Sequence, residues 1–96
     1  MHILFIGRDK SGSLSVRMDN RPAHLAWLAE HTATIRIAGP YLDTASGEPR
    51  GSMLILETET IDEAKAILAK DPYALAGLFE TTEIQPWRWV IGAPQG

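Results

Sequence analysis

Two short runs, Ile3-Leu4-Phe5-Ile6 and Met53-Leu54-Ile55-Leu56, are apolar at every position instead of at alternate ones. A strand with one wet face alternates, so continuous runs of this kind predict strands buried on both faces of a sheet. The chain has 96 residues, which permits one domain over 1–96 and leaves no core for a second. A domain of that size covers only roughly 60 to 65% of its unfolded surface.

The remaining elements follow from punctuation and period. His2 to Gly7 reads as β1, ended by the polar Arg8-to-Ser13 loop. Arg21 to His31 is rich in Ala and Leu and reads as α1, with Asp19 or Asn20 as cap and Pro22 in the first turn. Thr34 to Ala38 is β2, ending at Gly39-Pro40; Asp43 to Arg50 is a loop; Ser52 to Thr58 is β3. Thr60-Ile61-Asp62-Glu63 forms a capping box that starts α2 at Ile61 and carries it to about Lys70. After Asp71-Pro72 a further turn ends at Gly77, and Phe79 to Ile91 holds β4, where Pro86 requires a sheet edge or a bulge.

The order βαββαβ is the ferredoxin-like α+β arrangement, a four-stranded antiparallel sheet with two helices on one face. Two helices cover one face only. The doubly apolar strands require cover on the other, and a second copy is the simplest one, so a homodimer through the sheet face is expected.

Composition narrows the function. The apolar fraction of 45% and charged fraction of 22% are those of an ordinary globular chain. With no cysteine there is no disulfide framework, cysteine nucleophile or thiolate metal site, and the cytoplasm is the default location. The first nine residues hold too short an apolar run for a signal segment, and no later run reaches the ~20 residues that span a bilayer. A net charge of −3 argues against a phosphate backbone as partner. The fold class includes RNA-recognition modules, whose third strand stacks bases on aromatics, but here Arg50-Gly51-Ser52-Met53-Leu54-Ile55-Leu56-Glu57 carries none.

Chemistry then rests on few side chains. On α1 the spacing of Leu25, Leu28, Ala29 and Thr32 defines the core stripe, with His24 at its border. From there its ring can face a cleft and exchange protons near neutrality, or pack against the sheet as an ordinary boundary residue. His31 lies seven residues on, roughly 10 Å along the axis, too far to share a metal with His24. No metal or cofactor motif is present. Asp71 falls on the apolar stripe of α2 at the negative end of the helix dipole, an unfavourable place for a carboxylate. It reads equally as the N-cap of the next turn or as a partner for His24, and one carboxylate can do both. Ser52 can join a hydrogen-bonded constellation, although no G-x-S-x-G elbow marks a serine hydrolase. Tyr73 reads more readily as packing than as an acid, and Gly39-Pro40 as a strand end.

The order Arg21…His24-Leu25…Leu28, Ala38-Gly39-Pro40, Gly51-Ser52 and Ala64…Asp71-Pro72-Tyr73…Ala76-Gly77 resembles the YciI-like (YCII-related domain) family through most of the chain. The resemblance implies a ferredoxin-like domain that dimerises into an α/β barrel, with a site centred on His24 and Asp71. Ser52, Gly39, Pro40 and Tyr73 are its implied pocket neighbours. Related dimeric α/β barrels include muconolactone isomerases, a dehydrochlorinase and monooxygenases, so fold alone does not choose a reaction. The leading expectation is an acid/base enzyme, isomerase- or lyase-like, acting without a cofactor on a small organic acid, lactone or aromatic-derived compound. Arg21 or Arg17 is then available for a substrate carboxylate. The alternative is a non-catalytic ligand-binding or interaction module of the same fold.

Overall fold

A computed structural model of the chain describes residues 1–93. Its elements run β1 (His2–Asp9), α1 (Leu14–Glu30), β2 (Ile35–Leu42), β3 (Pro49–Glu57), α2 (Ile61–Leu68), α3 (Pro72–Leu75) and β4 (Phe79–Trp87). The strands form one antiparallel sheet in the order β2-β3-β1-β4, the ferredoxin-like topology with α1 and α2 as its crossovers. The two all-apolar runs are the central strands. Pro86 lies on β4 and Pro40 on β2, both at sheet edges, where a missing amide proton breaks no ladder.

On one face Ile3, Phe5, Leu54 and Leu56 meet Trp27 of α1 and Ala64 and Leu68 of α2, and these residues form the core with Ile35. Gly7 lies on the same face, and a Cβ there would come within 2.8 Å of the Phe79 ring, so only glycine lets that ring approach. The strand register puts Leu4, Ile6, Ile37, Met53 and Ile55 on the opposite face, which no helix among the described residues covers. Tyr41 on that face lies against Gly51, and His2, Trp87 and Trp89 extend it with edge-on ring contacts. No helix among the described residues is long and apolar enough to cross a membrane.

Helix α1 differs most from the sequence reading. It begins at Leu14, not Arg21, so Pro22 sits in its interior and neither Asp19 nor Asn20 is the cap; Ser13 is, without a side-chain cap bond. The proline leaves the Met18 carbonyl without its helical partner, but Met18 is 52% exposed and Pro22 faces solvent, so water can take that bond. The buried face also differs. It carries Arg17, His24 and Trp27, with Leu28 half-buried, whereas Leu25 is 44% exposed. His24 is therefore a core position and not a border one. The apolar stripe drawn through Leu25 and Ala29 was offset because the true interior of this helix is largely polar and aromatic.

Strand ends differ as well. β1 continues to Asp9, β3 begins at Pro49, and β2 passes through Gly39-Pro40 to Leu42. Asp43 organises the β2–β3 turn by accepting from the amide and hydroxyl of Ser46. The capping box is half reciprocal: Thr60 accepts from the Glu63 amide at 3.2 Å, while the Glu63 carboxylate reaches the amide of Glu59. Gly77 stops the last helical turn at φ +70°, where an L side chain would be strained.

Pro22→Ala restores one helical hydrogen bond at an exposed position and is expected to add about 1 to 3 kcal/mol of stability. Calorimetry should show the thermal midpoint rising by several degrees; a lower midpoint would mean that the core requires the bend.

Candidate active site

A cavity of about 260 Å³ lies between the flank of α1, the edge strand β2 and α3. Each side chain reaches it for a local reason. Arg17, His24 and Leu28 share one helical face, since positions seven and four apart align. On β2 a bulge around Arg36 puts Ile35 and Ile37 on opposite faces, so that Ala38 and Pro40 point to the helix side, opposite Leu54 and Ser52. Gly39 points to the other face and lines the cavity with its backbone.

The Asp71 carboxylate is 1% exposed. Its Oδ1 accepts from the Tyr73 amide at 3.0 Å as the N-cap of α3, with Pro72 at the first helical position. The same Oδ1 lies 2.7 Å from Nδ1 of His24, a residue 7% exposed. Cap and imidazole partner are thus one atom. The His24 ring stacks on Tyr73 at 4.0 Å between centroids with 15° between planes, and its remaining nitrogen opens on the cavity. Asp71 Oδ2 and the indole nitrogen of Trp27 are buried with no hydrogen-bond partner among the described residues. Each such group costs roughly 1 to 3 kcal/mol, so this corner is not optimised for stability alone.

A second buried pair stands beside it. Arg17 is 3% exposed and grips Asp9 with two hydrogen bonds, Nε to Oδ2 at 2.7 Å and Nη2 to Oδ1 at 2.9 Å. Nη2 also donates to Ser52 Oγ at 2.8 Å. The guanidinium carbon lies 4.6 Å from the Tyr73 ring centroid. Burial opposes the Arg17 charge, but the bond to Asp9 and its negative charge prevail and hold the guanidinium proton more firmly than usual. Burial pushes the Tyr73 phenol up from its ordinary value, against the pull of Arg17 and Arg21.

Ser52, Gly39, Pro40, Tyr73 and Arg21, named from sequence, all line the cavity with His24, and Asp71 stands directly behind the histidine. His2 and His31 do not reach it. Met18 and Asp9 were not anticipated. The signal for them was the spacing of Arg17 and His24 on one helix, hidden once the helix was started at Arg21. Among the described residues no group of three or more metal-ligating side chains occurs. The arrangement can hold a tautomer, move a proton at His24 and donate hydrogen bonds to oxygens from Ser52, Tyr73 and Arg21.

Fold and site together define a ferredoxin-like α+β domain of the dimeric α/β barrel class. The chain belongs to the YCII-related domain family, which it matches over residues 1–88. It is 34% identical to Protein YciI of Escherichia coli over 98 residues, covering 95% of this chain and all of that one. An uncharacterised protein of Haemophilus influenzae is 30% identical over the same proportion. Among solved structures, the 5-chloro-2-hydroxyhydroquinone dehydrochlorinase TftG of Burkholderia phenoliruptrix, in complex with 2,5-dihydroxybenzoquinone, is similar with a TM-score of 0.86 and 40% identity. That match covers 92% of this chain and 94% of the other. A NIPSNAP family protein of Agrobacterium tumefaciens shares the fold, with a TM-score of 0.57 and 17% identity over 98% of both chains.

Because the folded chain holds the Tyr73 proton more tightly than an unfolded chain would, the sign of its pH linkage is fixed. Its contribution is fully present below the ordinary tyrosine value of about 10 and is lost as pH rises through the higher folded value. Denaturant melts above pH 10 should therefore show stability falling less steeply in Tyr73→Phe than in the wild type; identical slopes would contradict the burial of the phenol.

Proposed function

We propose that this protein is a small-molecule acid/base enzyme, isomerase- or lyase-like, in which His24 moves the proton and Asp71 orients it. The observation that carries this reading is the buried 2.7 Å contact of His24 with Asp71, combined with a free imidazole nitrogen on a cavity the size of a small molecule. Asp71 accepts from Nδ1, which leaves Nε2 as the base, and the carboxylate then stabilises the imidazolium once the proton is taken. Ser52, Tyr73 and Arg21 hold substrate oxygens, and Gly39 and Pro40 form the flat wall against which a ring lies. In an elimination of the dehydrochlorinase kind, the proton goes to His24, the freed electron pair forms the new double bond, and the halide leaves. The similarity to TftG supports a compound derived from a hydroxylated aromatic ring as the substrate class.

We further propose that the protein works in the cytoplasm as a homodimer joined through the open sheet face. Leu4, Ile6, Ile37 and Met53 form an apolar surface there that a monomer would leave wet. A second copy covers it with the same surface, as two-fold symmetry requires. Light scattering at micromolar concentration should give twice the chain mass, and a stable monomer would sink the dimer.

The catalytic reading is tested with 5-chloro-2-hydroxyhydroquinone by chloride release, and by NMR for solvent deuterium entering the substrate. Wild type should catalyse one or both, and His24→Gln should be at least about 100-fold slower while melting normally. Turnover by His24→Gln at the wild-type rate would remove the histidine from the chemistry. Binding without proton exchange in the wild type would favour the non-catalytic module.

A further inference from the structure

We propose that Met18 and Leu25 are specificity-determining residues at the mouth of the cavity, and that they select a substrate ring bearing an apolar substituent. The inference rests on the reading of this cavity as the substrate site. Its own support is the way the lining changes with depth. The floor is closed and mostly polar, with His24, Ser52 and Tyr73 buried beside Leu54. The rim is open and mostly apolar. Met18 is 52% and Leu25 44% exposed, and on the facing strand Ala38 and Pro40 are exposed and turn to the same side.

Single exposed apolar side chains are ordinary on a protein surface. These two are not scattered. They are the only large apolar side chains that α1 exposes, and both line the cavity. Seven residues apart, they share one face of the helix about 10 Å along its axis, with Arg21 between them. Arg21 is the one charged side chain of the rim, and an arginine so placed keeps its head in water while its methylenes extend the apolar surface. The rim lies on the helix side of the sheet, opposite the face proposed above for the second copy, so the two surfaces do not compete.

Volume decides what meets the rim. The cavity of about 260 Å³ exceeds the ~150 Å³ that admits a bare benzene ring and falls short of the roughly 300 Å³ at which pockets for drug-sized ligands begin. One hydroxylated ring fills it. With its oxygens on the polar floor, the opposite edge of the ring stands at the mouth, and a substituent there passes between Met18 and Leu25. An alkyl group in that place takes both side chains out of water together with itself, whereas a polar group gains little that water does not already give it. A fully buried methylene is worth about fourfold in affinity, so walls that stay half exposed return about twofold per carbon.

Titration calorimetry with 2,5-dihydroxybenzoquinone and its 3-propyl and 3-carboxymethyl derivatives tests the assignment. Wild type should bind the propyl compound about fivefold or more tightly than the unsubstituted ring. That ratio should fall below about twofold in the double variant Met18→Gln with Leu25→Asn, which keeps side-chain size at two exposed positions and should melt cooperatively, and part-way in each single variant. Leu75→Gln, at an exposed leucine outside the cavity, should leave the ratio as in wild type. Equal affinity of wild type for the propyl and unsubstituted rings, a ratio that survives in the double variant, or a ratio lost equally in Leu75→Gln would overturn the proposal. So would tighter binding of the carboxymethyl ring than of the propyl ring, which would put Arg21 in charge of the rim, or no binding of any of the three. A propyl preference that depends on Met18 and Leu25, found together with absent proton exchange, would instead defeat the catalytic reading and leave the rim as assigned.

Discussion

Two carboxylates buried under α1 decide how that helix lies on the sheet. Asp9, at the end of β1, takes Arg17, and Asp71, at the start of α3, takes His24 two turns later. A buried ion pair adds little net stability over apolar packing, but separating one strands a charge and costs about 3 to 5 kcal/mol. The helix therefore cannot slide by a residue without losing both. Between the two anchors the Tyr73 ring lies against the guanidinium at 4.6 Å and the imidazole at 4.0 Å, and the backbone that positions this ring is itself capped by Asp71. Cap, ion pair and stacked ring are consequently one cooperative unit. It is polar where an ordinary helix face would be apolar.

Much of this could be read from the residues. The element order came from two all-apolar runs and the turns that bound them, and α2 from the Thr60 capping box. Asp71 stood out because a carboxylate sat on an apolar stripe before a proline; both roles weighed for it, cap and histidine partner, fall on a single oxygen. What was not legible has physical causes. Pro22 normally begins a helix, and only its exposure lets it sit in the interior of one. Arg17 looks like a surface residue until Asp9, at the far end of another element, neutralises it. The bulge at Arg36 leaves no local sign, yet it decides whether Pro40 or Gly39 turns toward the cavity.

The short chain and the open sheet face are two sides of one constraint. A 96-residue domain whose two longer helices, α1 and α2, pack on one side has one covered sheet face, and its central strands are apolar on both. On the covered side, the room between α1 and the edge strand β2 is a cavity of about 260 Å³. The chain thus sets its polar constellation on the helix side of the sheet, separate from the apolar face on the other. Ser52 and Leu54 point to the former, and Met53 and Ile55 to the latter, along one strand. Alternation lets a single segment serve both.

The central claim is that Asp71 fixes the His24 tautomer and leaves Nε2 as the base on the cavity. Long-range ¹H–¹⁵N NMR of the uncomplexed protein, recorded where the ring is neutral, reads the tautomer directly. The account predicts a protonated Nδ1 and a bare Nε2 for His24, with the Nδ1 proton protected and shifted downfield by the carboxylate. A bare Nδ1 with the proton on Nε2 would contradict it, because the imidazole would then present a donor and not a base to the cavity.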